Sequence, residues 1–247
     1  TFPLDEDPST SILAWTTTPW TLVSNLGLMV GPDIDYVKIH DKTADQNYIL
    51  AKERLETYFE EPENYTVLET MKGKQLEELT YEPLFSYFAG RKEKGAFRVI
   101  LEDEVSTDEG TGIVHTAPAF GEVDFYACQK NGIDLVCPVD SNGQFTEDNP
   151  EYTGQFVKDA DKDIMKRLKQ KGRVVRHETL HHRYPFCWRS DTPLIYRAMT
   201  TWFVAVEKIK DKMVGANDKV HWTPDYIKHG RFGKWLEGAR DWAISRN

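Results

Sequence analysis

Apolar and polar positions change over in short runs along this chain, and the runs read as strands more often than as helices. Residues 11–15 are largely apolar and lead into β-branched threonines, which predicts a strand. Pro19 stops it, because proline has no N–H to donate and pushes Thr18 toward an extended backbone. Residues 36–40 and 47–51 flank the polar loop 41–46 and predict a hairpin. Residues 52–59 have helical composition, 60–64 form an acidic loop around Pro62, 65–71 read as a strand and 74–79 as a short helix. Residues 97–101 and 112–116 are further strand candidates, the second entered through the flexible Gly110-Thr111-Gly112. Residues 123–129 predict a helix with Phe125 and Cys128 on one face, ended at Asn131-Gly132. Residues 134–140 read as an edge strand, since Pro138 removes a donor. Residues 159–171 are the clearest helix, with Ile164, Met165 and Leu168 as its stripe and Gly172 as its stop, and 174–177 return as a strand.

Strands outnumber helices, and no regular strand–helix alternation marks a parallel wound sheet. The expected class is α+β, with a β-barrel-like core decorated with short helices. The character changes near residue 180. Residues 181–197 form a ribbon punctuated by proline and arginine, 198–213 have helical composition, and 222–246 are aromatic and interrupted by glycine, as suits a surface laid on another domain. The expected division is a core over 1–180 and a C-terminal ribbon and helical extension over 181–247.

At 247 residues the chain can bury a substantial core. No apolar run approaches the ~18 residues of a membrane span, and the acidic start has no signal-peptide pattern. Without an initiator methionine or a terminal signal, both ends read as cuts in a longer polypeptide. Cys128, Cys137 and Cys187, an odd count without regular spacing, argue against a disulfide framework and for a reducing compartment. Cys187 lies near His181 and His182, but Ser190 stands where a second cysteine would complete a zinc pair, so packing is the plainer reading and no metal is expected. The net charge of −9 is unlike a general nucleic-acid binder. It is unevenly spread: residues 99–160 hold thirteen acids against two bases, and 162–197 hold ten bases against three acids. That basic strip suits phosphates; a solvated helix face accounts for it as well.

Two stretches carry candidate chemistry. Residues 14–21 cluster the hydroxyls of Thr16, Thr17, Thr18 and Thr21 around Pro19. On a strand Thr16 and Thr18 share a face and Thr17 takes the other, and a turn at Pro19 brings Thr21 back. Such a cluster can fix a water or a ribose hydroxyl, but no base sits beside it in sequence. Threonine is also simply common in strands. Residues 110–124 set His115 and Asp124 nine apart across a glycine- and proline-rich turn. Asp124 falls in the first turn of the predicted helix, whose positive end favours the ionised carboxylate, and a carboxylate pairs with an ammonium. A core histidine and an ordinary helix-start acid are the plain alternatives. Together these residues point to water-mediated hydrolysis of something small and aminated.

The threonine peptide with Trp20, residues 22–28 after it, and Gly110-Thr-Gly-Ile-Val-His-Thr-Ala-Pro with Asp124 resemble the editing (connective-peptide) domain of isoleucyl-tRNA synthetases of the eukaryotic, cytoplasmic type. Downstream, Tyr184-Pro-Phe-Cys-Trp-Arg, Thr192-Pro-Leu-Ile-Tyr-Arg-Ala, Thr201-Trp-Phe-Val and Asp241-Trp-Ala-Ile-Ser-Arg are similar to the stretch where that family's chain returns to its synthetic core. Valyl and leucyl relatives carry an arginine in the threonine peptide and other residues at the position of His115, so the isoleucyl form is the match. Val123 departs from an acid often found beside Asp124, and Thr201 from a commoner serine. The resemblance implies hydrolysis of valine wrongly esterified to tRNA(Ile), with valyl-adenylate as a further substrate. It implies that Asp124 anchors the α-ammonium and that Thr17 and Thr18 position the ester and the water. Thr21 supports them and Thr16 joins the binding set. His115 then bounds a pocket that valine fits and isoleucine does not. No metal or organic cofactor is implied. The implied partners are the tRNA(Ile) 3′ end bearing valine and the rest of the synthetase in cis, with no membrane.

Two other readings compete. One is a non-catalytic module that holds the aminoacylated tRNA 3′ end and is inactive when isolated. The other is a complete synthetase. It lacks support, because the short His- and Lys-containing ATP signatures of the family and any dinucleotide-type Gly-rich turn are absent, so no aminoacylation is expected of this stretch.

Overall fold

The hairpin expected over residues 36–51 is the centre of the fold. The computed structural model describes residues 1–179 and 183–245. Its first unit, Thr1–Ala198, contains β1 (Phe2–Pro3), β2 (Thr10–Ile12), β3 (Gly27–Val30), β4 (Asp35–Asp41), β5 (Gln46–Ala51), β6 (Tyr65–Lys72), β7 (Arg98–Leu101) and β8 (Ile113–Thr116). The helices α1 (Leu55–Tyr58), α2 (Glu122–Lys130) and α3 (Val157–Gln170) belong to the same unit. One sheet has the order β1-β2-β5-β4-β6 and a second the order β7-β3-β8. β4 and β5 pair antiparallel, Tyr36 opposite Ala51 and Asp41 opposite Gln46. Strand alternation sorts their side chains into two layers. Val37, Ile39, Tyr48 and Leu50 pack with Leu13 and Leu55, while Tyr36, Ile49 and Ala51 join the main core.

The expected barrel-like core is not what forms. Mixed α and β structure is present, but neither sheet closes among the described residues. The sheets are laced by isolated bridges, Leu4–Tyr81, Thr80–Arg98 and Trp15–Val114. β6 stays an open edge, with 66–70 exposed to solvent, and polar side chains at Thr66, Glu69 and Thr70 suit such an edge. β3 was not marked in the pattern. All four of its residues are buried, and it runs parallel to β7 and antiparallel to β8. A strand covered on both faces has no alternating polar positions to betray it.

The helices expected at 123–129 and 159–171 occur as α2 and α3, with Val157, Ala160, Ile164 and Leu168 buried on the latter. Residues 134–140 do not form the expected strand. They contribute one bridge, Val139–Phe145, and Asp140 instead caps a turn by accepting the N–H groups of Asn142 and Gln144. Residues 174–177 are irregular as well. The second unit, Met199–Asn247, pairs β9 (Phe203–Val204) antiparallel with β10 (Trp242–Ala243) and holds α4 (Lys210–Asn217) and α5 (Arg231–Glu237). Its helix starts later than the 198–213 expected, because β9 takes part of that stretch. No helix among the described residues is long and apolar enough to cross a membrane.

Candidate functional site

Beyond β2 the backbone runs beside β8, where Trp15 bridges Val114 in parallel. Pro19 opens a 3-10 helix, Pro19–Ser24, to which its fixed φ is suited. That turn folds the threonine peptide on itself. The Thr18 N–H donates to Thr16 Oγ1 at 3.0 Å, and Thr18 Oγ1 lies 3.3 Å from the hydroxyls of both Thr16 and Thr21. Thr17, on the alternate position, is exposed.

β8 brings His115 to this chain of hydroxyls. Gly112 makes the approach possible: it has φ +71°, and a Cβ there would stand 2.4 Å from the Ala51 Cβ. Thr111 Oγ1 donates to the Leu13 carbonyl at 2.7 Å, and Tyr36 Oη to the Gly112 carbonyl at 2.8 Å. His115 is buried, with Nε2 2.9 Å from Thr21 Oγ1 and Nδ1 3.0 Å from Asn25 Nδ2. The surrounding bonds assign its tautomer. Asn25 Nδ2 donates to the Gly27 carbonyl at 2.8 Å, and Asn25 Oδ1 accepts from Tyr81 Oη at 2.8 Å. The amide therefore faces His115 as a donor, Nδ1 accepts, and the ring proton sits on Nε2 and is donated to Thr21. The Thr21 hydroxyl in turn donates to the Thr18 carbonyl at 2.8 Å. Burial lowers the His115 pKa to about 4, so the ring is neutral near pH 7. With both nitrogens engaged, His115 has no lone pair to serve as a base. It can act as a rigid wall.

Asp124 approaches from α2. Its Oδ2 accepts the Ala117 N–H at 2.8 Å. Gly121, the residue before the helix, leaves room for the carboxylate: a Cβ there would lie 2.9 Å from Asp124 Cγ and Oδ1. The helix start was expected to favour the ionised form. Burial outweighs it and pushes the carboxyl up to about 6, against the pull of the backbone N–H groups of Ala117 and Asp124.

Thr16, Thr17, Thr18, Thr21, His115 and Asp124 line one cleft of about 400 Å³. A second hollow of about 440 Å³ meets it at residues 15–17 and is walled by Leu13, Met165, Leu168 and Val174. Only the first has Asp124 in its wall, so it alone combines the carboxylate with the hydroxyl chain. Three residues near the first cleft escaped the sequence reading. Asn25 and Tyr81 orient His115, and Asp161 on α3 accepts the Trp20 N–H at 2.7 Å. None has a signal in its own segment, since the pattern of 159–171 marks the apolar stripe of a helix and not the partner of any one acid on it. Three arginines of the basic strip are paired with acids, Arg167 with Asp163 at 2.7 Å, Arg173 with Glu82 at 2.6 Å and Arg176 with Glu178 at 2.7 Å, which favours a solvated face. The zinc reading of Cys187 involved His181 and His182, which lie outside the described residues. Among the described residues no group of three or more His, Cys, Asp or Glu is placed to hold a metal.

The cleft thus sets a neutral, hydrogen-bonded imidazole between a chain of hydroxyls and a carboxylate. Residues 10–247 match the family of class I tRNA synthetases (I, L, M and V), and the chain belongs to it. Relatives to which the chain is similar include isoleucine–tRNA ligases. That of Protochlamydia amoebophila is 64% identical over 242 residues, 98% of this chain and 23% of the relative. That of Chlamydia pneumoniae is 57% identical over 245 residues, 99% of this chain and 23% of the relative. The chain thus spans about a quarter of the length of the curated relatives it matches. Among solved structures, the crystal structure of GlLeuRS-CP1 has a TM-score of 0.51 at 17% identity, covering 69% of this chain and 85% of its own, which shows a shared fold.

Proposed function

We propose that this chain is an editing domain that hydrolyses valine wrongly esterified to tRNA(Ile), with valyl-adenylate as a second substrate. The observation that carries the reading is the single cleft in which the threonine hydroxyls, a neutral His115 and the Asp124 carboxylate meet. Asp124 receives the α-ammonium. Thr17 and Thr18 hold the ester and the water, with Thr21 and Thr16 behind them, and His115 limits the depth available to the side chain. A missing methylene is worth only ~1–3 kcal/mol to a pocket that must favour the larger residue; a second pocket that sterically admits only the smaller supplies the rest, a double sieve of which isoleucyl enzymes are the worked case.

The water oxygen attacks the ester carbonyl carbon and the bond to the ribose oxygen breaks. The ribose oxygen takes one of the water's protons as it leaves, valine departs as the carboxylate, and the second proton goes to solvent. The imidazole is occupied, so orientation of water and ester carries the rate, aided by the neighbouring ribose hydroxyl of the terminal nucleotide. The partners of this reaction are the tRNA(Ile) 3′ end and the rest of the synthetase in cis, in the cytoplasm. Deacylation of Val-tRNA(Ile) by the full-length protein tests the reading. Hydrolysis is expected in the wild type and is lost in Asp124→Ala; hydrolysis undiminished in that variant would overturn the assignment of the cleft.

A further inference from the structure

Asp161 is the acid that α3 sets against the threonine peptide, bonded to the Trp20 N–H across 141 residues of chain. The contact has a consequence for Thr18. Thr18 is the N-cap of the 3-10 helix Pro19–Ser24, and a threonine in that place ordinarily turns its hydroxyl back to accept an N–H of the first turn. Pro19 has no N–H to give. The Thr21 N–H is taken by the Thr18 carbonyl at 3.1 Å. Trp20 is the donor left for a cap, and Asp161 has it. Thr18 accordingly makes no side-chain cap, and its hydroxyl stands among those of Thr16 and Thr21 at the cleft wall.

We propose that Asp161 is a positioning residue for the hydrolysis: by supplying the cap from α3, it frees the Thr18 hydroxyl to face the cleft, where ester and water are held. The proposal rests on the function given above. Burial holds the Asp161 carboxyl up at about 6, as for an acid drawn out of water to make a contact.

In the full-length protein, Asp161→Ala lowers kcat for Val-tRNA(Ile) deacylation roughly tenfold, while KM moves by less than about twofold. Asp161→Asn, which keeps an accepting oxygen, restores most of the rate. Thr18→Val lowers kcat by itself, and adding Asp161→Ala to it removes little more, because both act through one hydroxyl. A residue that merely held the fold would lower the melting temperature and leave kcat per folded molecule intact, whereas one acting by a route other than the Thr18 hydroxyl would show a kcat loss that adds in full to that of Thr18→Val. Either outcome overturns the proposal. A crystal structure of the Asp161→Ala variant gives a readout independent of activity. Thr18 Oγ1 turned onto the Trp20 N–H is expected; Thr18 in its original rotamer, with Trp20 capped by nothing from Thr18, overturns the proposal. A wild-type protein that fails to deacylate Val-tRNA(Ile) while Thr18 turns as expected refutes the assigned function and leaves the contact standing.

Discussion

The hydroxyl wall of the cleft hangs on bonds made across 90, 94 and 141 residues of chain, Asn25 to His115, Thr21 to His115 and Trp20 to Asp161, whereas the acid wall is set within seven residues, by Asp124 on the Ala117 N–H and by the space Gly121 leaves. The first wall has its donors and acceptors paired in one direction, from Tyr81 through Asn25 and His115 to Thr21. Pairing of that kind fixes shape. The second wall holds a desolvated carboxylate, stabilised by backbone N–H groups alone, and the ammonium of the proposed substrate is what would complete its pairing. Under the function proposed above, the first wall measures the side chain and the second grips the amine.

The contrast is broken most severely at Asp124. Asp124→Ala should reduce Val-tRNA(Ile) deacylation by about 100-fold or more, as when one member of a desolvated charge pair is truncated. Its melting temperature at pH 7 should hold or rise. The folded pKa of Asp124 is raised, so ionising it removes stability as pH climbs from about 4 to about 6, and the variant escapes that loss. A large fall in melting temperature would instead make Asp124 a structural group. Gly121→Ala comes next. Its Cβ would stand 2.9 Å from the carboxyl carbon, and kcat/KM should drop roughly tenfold as the carboxylate is displaced; an unchanged value means that the carboxylate has room to yield.

The pH profile sharpens the same comparison. With Asp124 pushed up to about 6, kcat/KM should rise with pH through about 6 and level off above, falling about tenfold for each unit below. A bound ammonium favours the carboxylate, so the inflection in kcat should lie lower. Asp161 is also held up at about 6, so the profile of Asp161→Asn decides between the walls. The inflection should persist there, and its disappearance would assign the titration to the hydroxyl wall. The smallest effect is expected at Tyr81. Tyr81→Phe leaves Asn25 Oδ1 without its donor, which should lower stability by about 1–2 kcal/mol in urea unfolding. It should also let a loosened His115 admit some Ile-tRNA(Ile) to hydrolysis. Discrimination as sharp as in the wild type would show that Thr21 alone holds the ring.

The acid wall was readable before the fold was known because its parts are neighbours: a glycine, a helix start and an acid in its first turn. The β4–β5 hairpin was readable for the same kind of reason, its alternation surviving in Val37, Ile39, Tyr48 and Leu50. β3 was not, since burial on both faces erases the alternation. A barrel was expected from the number of strands, but closure depends on what β6 pairs with, and no local pattern states that. Asp161 carries no mark in the pattern, because the Trp20 N–H that it accepts lies 141 residues away.

The order of residues alone therefore determined the spacing that puts Thr16, Thr18 and Thr21 together around Pro19 and places Asp124 at a helix start, because steric limits and helix ends act over a few residues. Only the tertiary structure decided the tautomer of His115, the freedom of the Thr18 hydroxyl and the raised pKa of Asp124. Each depends on a partner or a burial supplied from elsewhere in the chain, and hydrogen-bond direction and desolvation exist only once those distant groups have met.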